Sequence, residues 1–250
     1  MPSFQNGPVE IAYLDEGAGD PILLVHGFAS NKEVNWVHPG WIATLTGAGY
    51  RAIALDNRGH GASAKLYAPA EYHTNLMAGD VHALIRHLGL GRAHVMGYSM
   101  GARISAFLAL EHPDAVQSLV LGGLGMHLID GVGLPSSIAD ALEAPSLADV
   151  TDPQGRTFRA FADQTRSDRR ALAACIRGTR QTLTREQAAS IRAPVLVAVG
   201  SKDTVAGSAE DLAATIPGAR VLTIPNRDHM LAVGDKVFKA GALEFFEEHR

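Results

Sequence analysis

Cysteine is almost missing from this chain: Cys175 is the only one in 250 residues. No intramolecular disulfide can form, and nothing calls for an oxidising compartment. A lone cysteine cannot build a zinc site either. The eleven histidines never fall into a His-Glu-x-x-His pattern, and His82 and His87 lie five residues apart rather than four, so no metal is expected. No apolar run approaches the ~20 residues that span a bilayer, and the stretch Met1–Asn6 has neither the basic flank nor the apolar core of an export signal. The expectation is a cytoplasmic protein without a membrane partner. Basic charge is not in excess, with 22 Lys and Arg against 26 Asp and Glu and a net charge of -4. That leaves no overall field to hold a polyphosphate backbone, and nucleic acid is excluded as the expected partner. The glycines at 122, 123, 125, 131 and 133 complete no dinucleotide fingerprint, and no glycine-rich loop ends in Gly-Lys-Ser/Thr. No nucleotide cofactor is implied.

What is present is an ordinary globular composition, 46% hydrophobic and 19% charged, which excludes global disorder. The length suits one large domain, or one with an inserted module, and such a chain buries about three quarters of its unfolded surface. Short β-rich apolar runs occur at Val9–Tyr13, Pro21–Val25, Arg51–Leu55, Ala93–Gly97, Gln117–Leu121, Pro194–Val199 and Arg220–Ile224. Several are apolar at consecutive positions, as strands covered on both faces require. Helical patterns alternate with them near Trp36–Thr46, Glu71–Leu88, Met100–Glu111, Ser208–Thr215 and Lys236–Glu248. The alternation predicts an α/β fold, a mostly parallel sheet with helices on both faces.

The alternation breaks between Gly122 and Ile191, where no strand pattern occurs. Pro135 opens one helical stretch, Phe158–Arg166 and Arg169–Arg177 read as others, and Thr184 with Gln187 has capping-box spacing. Residues 124–190 are therefore expected to form a small helical cap, and 1–123 with 191–250 the core. An insertion at the carboxyl ends of the strands overlies the crevice where open α/β sheets bind ligands. Arg156–Arg192 holds nine arginines against Asp163, Asp168 and Glu186, so it carries +6 and the remainder -10. Either these arginines form a solvated helix face, or one of them, Arg159 or Arg177 for example, reaches inward to clamp a substrate carboxylate. Met126, Leu128, Phe158 and Phe161 suit either an acyl pocket or the core.

Chemistry points to Gly97-Tyr98-Ser99-Met100-Gly101, set between a predicted strand and a predicted helix. A sharp strand-to-helix turn lifts its central residue above the sheet edge, and small residues two before and two after it let neighbouring chain approach. A serine hydroxyl is a weak nucleophile until a base removes its proton. In the order Ser, acid, His, His112 and His127 come too early and His249 is penultimate, which leaves His229. The acid belongs at the end of an intervening strand, where Asp203 stands in Gly200-Ser201-Lys202-Asp203. Asp228 is its rival, but adjacent side chains on a loop usually point apart. Oxyanion donors are expected from the backbone N–H groups of Met100 and Phe28, the latter in His26-Gly27-Phe28-Ala29. His26 itself reads as structural.

With these motifs in order, and with Asp56-Asn57-Arg58-Gly59-His60-Gly61-Ala62-Ser63, the chain resembles the α/β-hydrolase superfamily over essentially its whole length. The resemblance implies that Asp56–Ser63 is a structural loop bracing the site floor. It also implies that haloalkane dehalogenase and epoxide hydrolase chemistries, which use an aspartate where this chain has Ser99, are disfavoured. The expected function is that of a serine hydrolase acting on a small-molecule carboxylic ester, thioester or lactone. Ser99 is its nucleophile, His229 its base and Asp203 the orienting acid, with no cofactor. A carbon-carbon bond hydrolase or enol-lactonase acting on a carboxylate-bearing metabolite is the alternative suggested by the basic cap. A ligand receptor on a hydrolase fold is the alternative from another class. Oligomeric state is not legible.

Overall fold

The structure, a computed structural model, describes residues 2–131 and 133–250. Its elements in chain order are β1 (Ser3–Asn6), β2 (Val9–Glu16), β3 (Pro21–Val25), α1 (Trp41–Gly47), β4 (Arg51–Leu55), α2 (Thr74–His87), β5 (Ala93–Tyr98), α3 (Met100–Glu111) and β6 (Val116–Gly122). Then come α4 (His127–Asp130), α5 (Ile138–Glu143), α6 (Pro153–Gln164), α7 (Arg169–Gly178), α8 (Arg185–Ala189), β7 (Val195–Gly200), α9 (Ala209–Thr215), β8 (Arg220–Ile224) and α10 (Lys236–Glu248). The eight strands form one sheet in the order β1-β2-β4-β3-β5-β6-β7-β8. β1 and β2 pair antiparallel and β2 runs antiparallel to β4, whereas every pairing from β4 to β8 is parallel. This is the expected α/β fold with a mostly parallel sheet.

Both sheet faces are buried, which explains the consecutive apolar residues. Leu23, Val25, Ile53, Leu55, Val95 and Val197 point to the side covered by α2, α3 and α9. Their neighbours Ile22, Leu24, Ala52, Ala54, Met96 and Ala198 point to the other side, against Trp36, Trp41, Phe238 and Phe246. Period-two alternation thus feeds two cores from one apolar run.

Two sequence expectations change. The helix expected over Trp36–Thr46 is divided: a wide helical turn covers Glu33–Val37, and α1 begins only at Trp41. Pro39 contributes no N–H and Gly40 takes φ +81°, so the chain reverses between the two. β1 was not expected. Its four residues carry a single buried apolar side chain, Phe4, and pair by backbone only with β2. Between β6 and β7 there is no strand among the described residues, only α4–α8. α5 packs on α6 and α7, and α7 on the turn Pro69–Tyr72. α6 and α7 start at Asp152 and Asp168, whose carboxylates accept backbone N–H groups of the first turn, and Thr184 caps α8 in the expected capping box.

Candidate active site

Ser99 stands at the turn from β5 into α3 with φ +55° and ψ -114°, a conformation unfavourable for a residue with a side chain. The turn exists because its flanks carry no Cβ. One at Gly97 would lie 2.2 Å from the carbonyl oxygen of Gly101, and one at Gly101 would lie 2.0 Å from that of Val25. Ser99 N donates to the Gly122 carbonyl at 2.7 Å, tying the turn to the end of β6.

His229 lies on the loop after β8, with its Nε2 2.9 Å from Ser99 Oγ and its Nδ1 2.8 Å from Asp203 Oδ2. An ionised carboxylate only accepts, so Nδ1 carries the imidazole proton and Nε2 accepts from the serine hydroxyl. The Asp203 side chain is wholly buried past the end of β7, and its other oxygen accepts the N–H groups of Val205 and Ala206 at 2.8 and 3.0 Å. The carboxylate therefore cannot swing away from the ring. Asp228 points elsewhere, its Oδ1 accepting from Met230 N and Leu231 N. The structure thus brings Ser99, His229 and Asp203 into one chain of hydrogen bonds and leaves Asp228 outside it.

The oxyanion expectation can be followed bond by bond. Gly27 N donates to Asn35 Oδ1 at 3.1 Å and Ala29 N to His60 Nε2 at 3.3 Å. The Phe28 N–H between them, like that of Met100 at the start of α3, has no acceptor among the described residues. Two unspent donors beside the serine are what a developing oxyanion needs.

Beneath this loop, His26 and His60 act as struts. His26 Nε2 accepts from Asn57 N while its Nδ1 donates to the Gly27 carbonyl, and His60 Nδ1 donates to the Arg58 carbonyl. Burial, with His26 beside it, pushes His60 down to about 3, and burial lowers His26 as well. Both rings are neutral, as their acceptor roles demand. Asp56 binds Lys32 Nζ at 2.6 Å and the Ala62 N–H at 2.8 Å, and Arg58 grips Asp80 with two bonds. The Asp56–Ser63 stretch is accordingly a brace, and His26 is structural.

Neither arginine singled out between residues 156 and 192 reaches the site. Arg159 is buried, but it is consumed by Asp163 and the carbonyls of Ala141 and Ala144. Arg177 lies at the surface in a pair with Asp140 and Glu143. The arginine that shares a cavity wall with Ser99 is one that sequence reasoning passed over, Arg103, one turn along α3. Its Nη atoms donate to the carbonyls of His127, Leu128, Gly131 and Gln181, pinning the helical segment to the helix that follows Ser99. Two further residues were missed. Tyr98 donates its hydroxyl to the His229 carbonyl at 2.6 Å, and burial raises its pKa, so it stays protonated. Asn35 positions Gly27. Neither partnership has a local sequence signal. Phe158 and Phe161 line a cavity of about 340 Å³ over Ser99, whereas Met126 and Leu128 are core. No group of three or more His, Cys, Asp or Glu side chains converges among the described residues.

Residues 20–175 match the model of the alpha/beta hydrolase fold family, well over half of the chain. The chain belongs to the α/β-hydrolase family. Among its relatives, a fluoroacetate dehalogenase from Burkholderia sp is 38% identical over 118 residues, 46% of this chain and 38% of that protein. The chain spans about two fifths of the length of the first curated relatives it matches, 38%, 40% and 41%. A hydrolase from Pseudomonas aeruginosa PA01 superposes with a TM-score of 0.78 at 28% identity, covering 95% of this chain and 94% of that one. The enol-lactonase from Burkholderia xenovorans LB400 shares the fold with a TM-score of 0.80 at 21% identity, over 98% of this α/β-hydrolase and 100% of that chain.

Proposed function

We propose that this α/β-hydrolase is a serine hydrolase that cleaves a small carboxylic ester, thioester or lactone through an acyl-enzyme. The observation that carries the reading is the unbroken relay Ser99 Oγ, His229 Nε2, His229 Nδ1, Asp203 Oδ2, with every link at 2.8–2.9 Å and two unspent N–H groups beside it. Ser99 Oγ bonds to the carbonyl carbon while its proton passes to His229. Asp203 stabilises the imidazolium, and the Phe28 and Met100 N–H groups receive the oxyanion. The proton then moves to the leaving oxygen as its bond to carbon breaks, and water repeats the sequence on the acyl-enzyme. A serine at this position argues against the aspartyl-ester chemistry of haloalkane dehalogenases and epoxide hydrolases. We take residues 124–190 as a cap, because Leu134, Phe158 and Phe161 from that segment line the cavity above Ser99. The carbon-carbon hydrolase or enol-lactonase alternative drew on the basic cap, and of its arginines Arg159 and Arg177 are spent elsewhere. A bound ligand that is never turned over would favour the receptor reading instead.

The test is covalent labelling. A fluorophosphonate is expected to attach to Ser99 alone, and Ser99→Ala to abolish labelling and lower ester turnover by roughly 10⁴-fold or more. Labelling at Ser63 or Ser105 in the intact-protein mass spectrum, with Ser99→Ala fully active, overturns the proposal.

A further inference from the structure

Two cavities meet at Ser99, and they differ both in size and in which reacting group faces them. The smaller, of about 40 Å³, is bounded by Met100, Arg103, Leu124, Leu134, Ile176 and Thr179. The larger, of about 340 Å³, is bounded by Val34, Tyr98, His229, Leu231 and Val233 as well as by the two cap phenylalanines. A further volume of about 140 Å³ shares the His229, Met230 and Phe161 wall. Met230 and Leu231 are 53% and 58% exposed, so the apolar surface continues outward past the mouth of the larger cavity.

We propose that the small cavity takes the acyl group and the large one the leaving group, which makes the substrate class a short-chain acyl ester of a bulky apolar alcohol. This assignment rests on the serine-hydrolase reading. When Ser99 Oγ bonds to the acyl carbon, its proton goes to His229 Nε2. The same nitrogen must return it to the departing alkoxide as the bond between acyl carbon and alkoxide oxygen breaks. The leaving oxygen therefore sits against His229, and the rest of the alcohol extends from it. His229 lines the large cavity and not the small one, which is lined by Ser99 and by the oxyanion donors Phe28 and Met100. The acyl chain is left with the small cavity. That space is less than an eighth of the larger one, which suits a short acyl group. Its polar wall does not enlarge it, since the Nη atoms of Arg103 are already bound to four carbonyls.

Hexyl acetate and methyl heptanoate are isomers with similar apolar bulk placed on opposite sides of the ester, and both release an unactivated alcohol. Hexyl acetate is expected to be cleaved with a kcat/KM about 10²-fold higher, since each methylene forced into a full pocket costs roughly tenfold or more. Ile176→Ala, which lengthens the small cavity, is expected to narrow that ratio by about tenfold. Equal or reversed preference, with turnover still dependent on Ser99, overturns the assignment and leaves the hydrolase reading standing. Absence of Ser99-dependent turnover of both isomers overturns the assignment, and together with failure of the fluorophosphonate to label Ser99 it overturns the hydrolase reading as well.

Discussion

Two carboxylates stand near the loop that bears His229, and their hydrogen bonds separate their roles. Asp203 gives one oxygen to the imidazole and the other to two backbone N–H groups. Asp203→Asn keeps the shape but puts an amide donor or a weaker acceptor opposite Nδ1, favouring the wrong tautomer. An activity loss approaching ~10⁴-fold is expected, with the circular dichroism spectrum unchanged. Asp228 only caps Met230 N and Leu231 N, a duty an asparagine oxygen performs equally well. Asp228→Asn is therefore expected to cost far less in kcat, and the reverse ranking would redraw the site. Ser99, His229 and Asp203 could be picked out from the sequence because each sits at a strand end in a fixed order. Tyr98, Asn35 and Arg103 could not, because their partners are the His229 carbonyl, the Gly27 N–H and the carbonyls of a distant segment. Side chains that hold backbone rather than react leave no motif.

At the scale of elements, the arginine-rich helices make a sharper case, because similar side chains do different work. Arg159 on α6 donates to two carbonyls at the end of α5, those of Ala141 and Ala144, the second shared with Arg169. Arg159→Ala leaves the buried Ala141 carbonyl without its donor, and a loss of about 2 kcal/mol is expected. For a domain this size that lowers Tm by roughly 4 °C or more. Arg177 on α7 sits in a half-exposed cluster with Asp140 and Glu143, and Arg177→Ala is expected to change stability by less than about 1 kcal/mol. Neither change is expected to alter the ratio of rates on carboxylated and neutral esters. A selective loss on the carboxylated ester in Arg177→Ala would restore the clamp. Helices with clear periodicity, α2, α3, α7 and α10, were legible, whereas α6 starts at Pro153, five residues before the expected Phe158. The division of Trp36–Thr46 was hidden, because a tryptophan-rich apolar pattern continues across Pro39-Gly40 while the backbone does not. β1 was hidden because four residues with one buried side chain have no period to read.

Across the whole molecule, acid sensitivity follows from histidines buried in the neutral form. His60 is held at about 3 and His94 at about 4, both chiefly by burial, and His26 is lowered too. Their ordinary value is 6.5, so between that pH and the folded values the unfolded chain binds protons that the folded chain refuses. The stability these rings contribute is whole above pH 6.5 and is lost as pH falls, by up to about 1.4 kcal/mol per pH unit for each ring. Urea midpoints are expected to be flat from pH 7 to 8 and to fall steeply from 6.5 towards 4.5. His60→Gln is expected to lower the midpoint at pH 7 and to flatten the fall below it. A midpoint independent of pH down to 4.5 would contradict the neutral assignment. The fold class was determined by the sequence itself, because burial on two sheet faces writes consecutive apolar residues and crossover helices write a period. So was the strand-to-helix turn at Ser99, where glycines at 97 and 101 are required by close backbone approach. Only the tertiary structure decided which arginines are spent, which N–H groups are left free, and that His229 faces the larger of two cavities. Those facts depend on distances between segments as far apart in the chain as Gly27 and Gly234, and chain order carries no record of how space is divided once the segments meet.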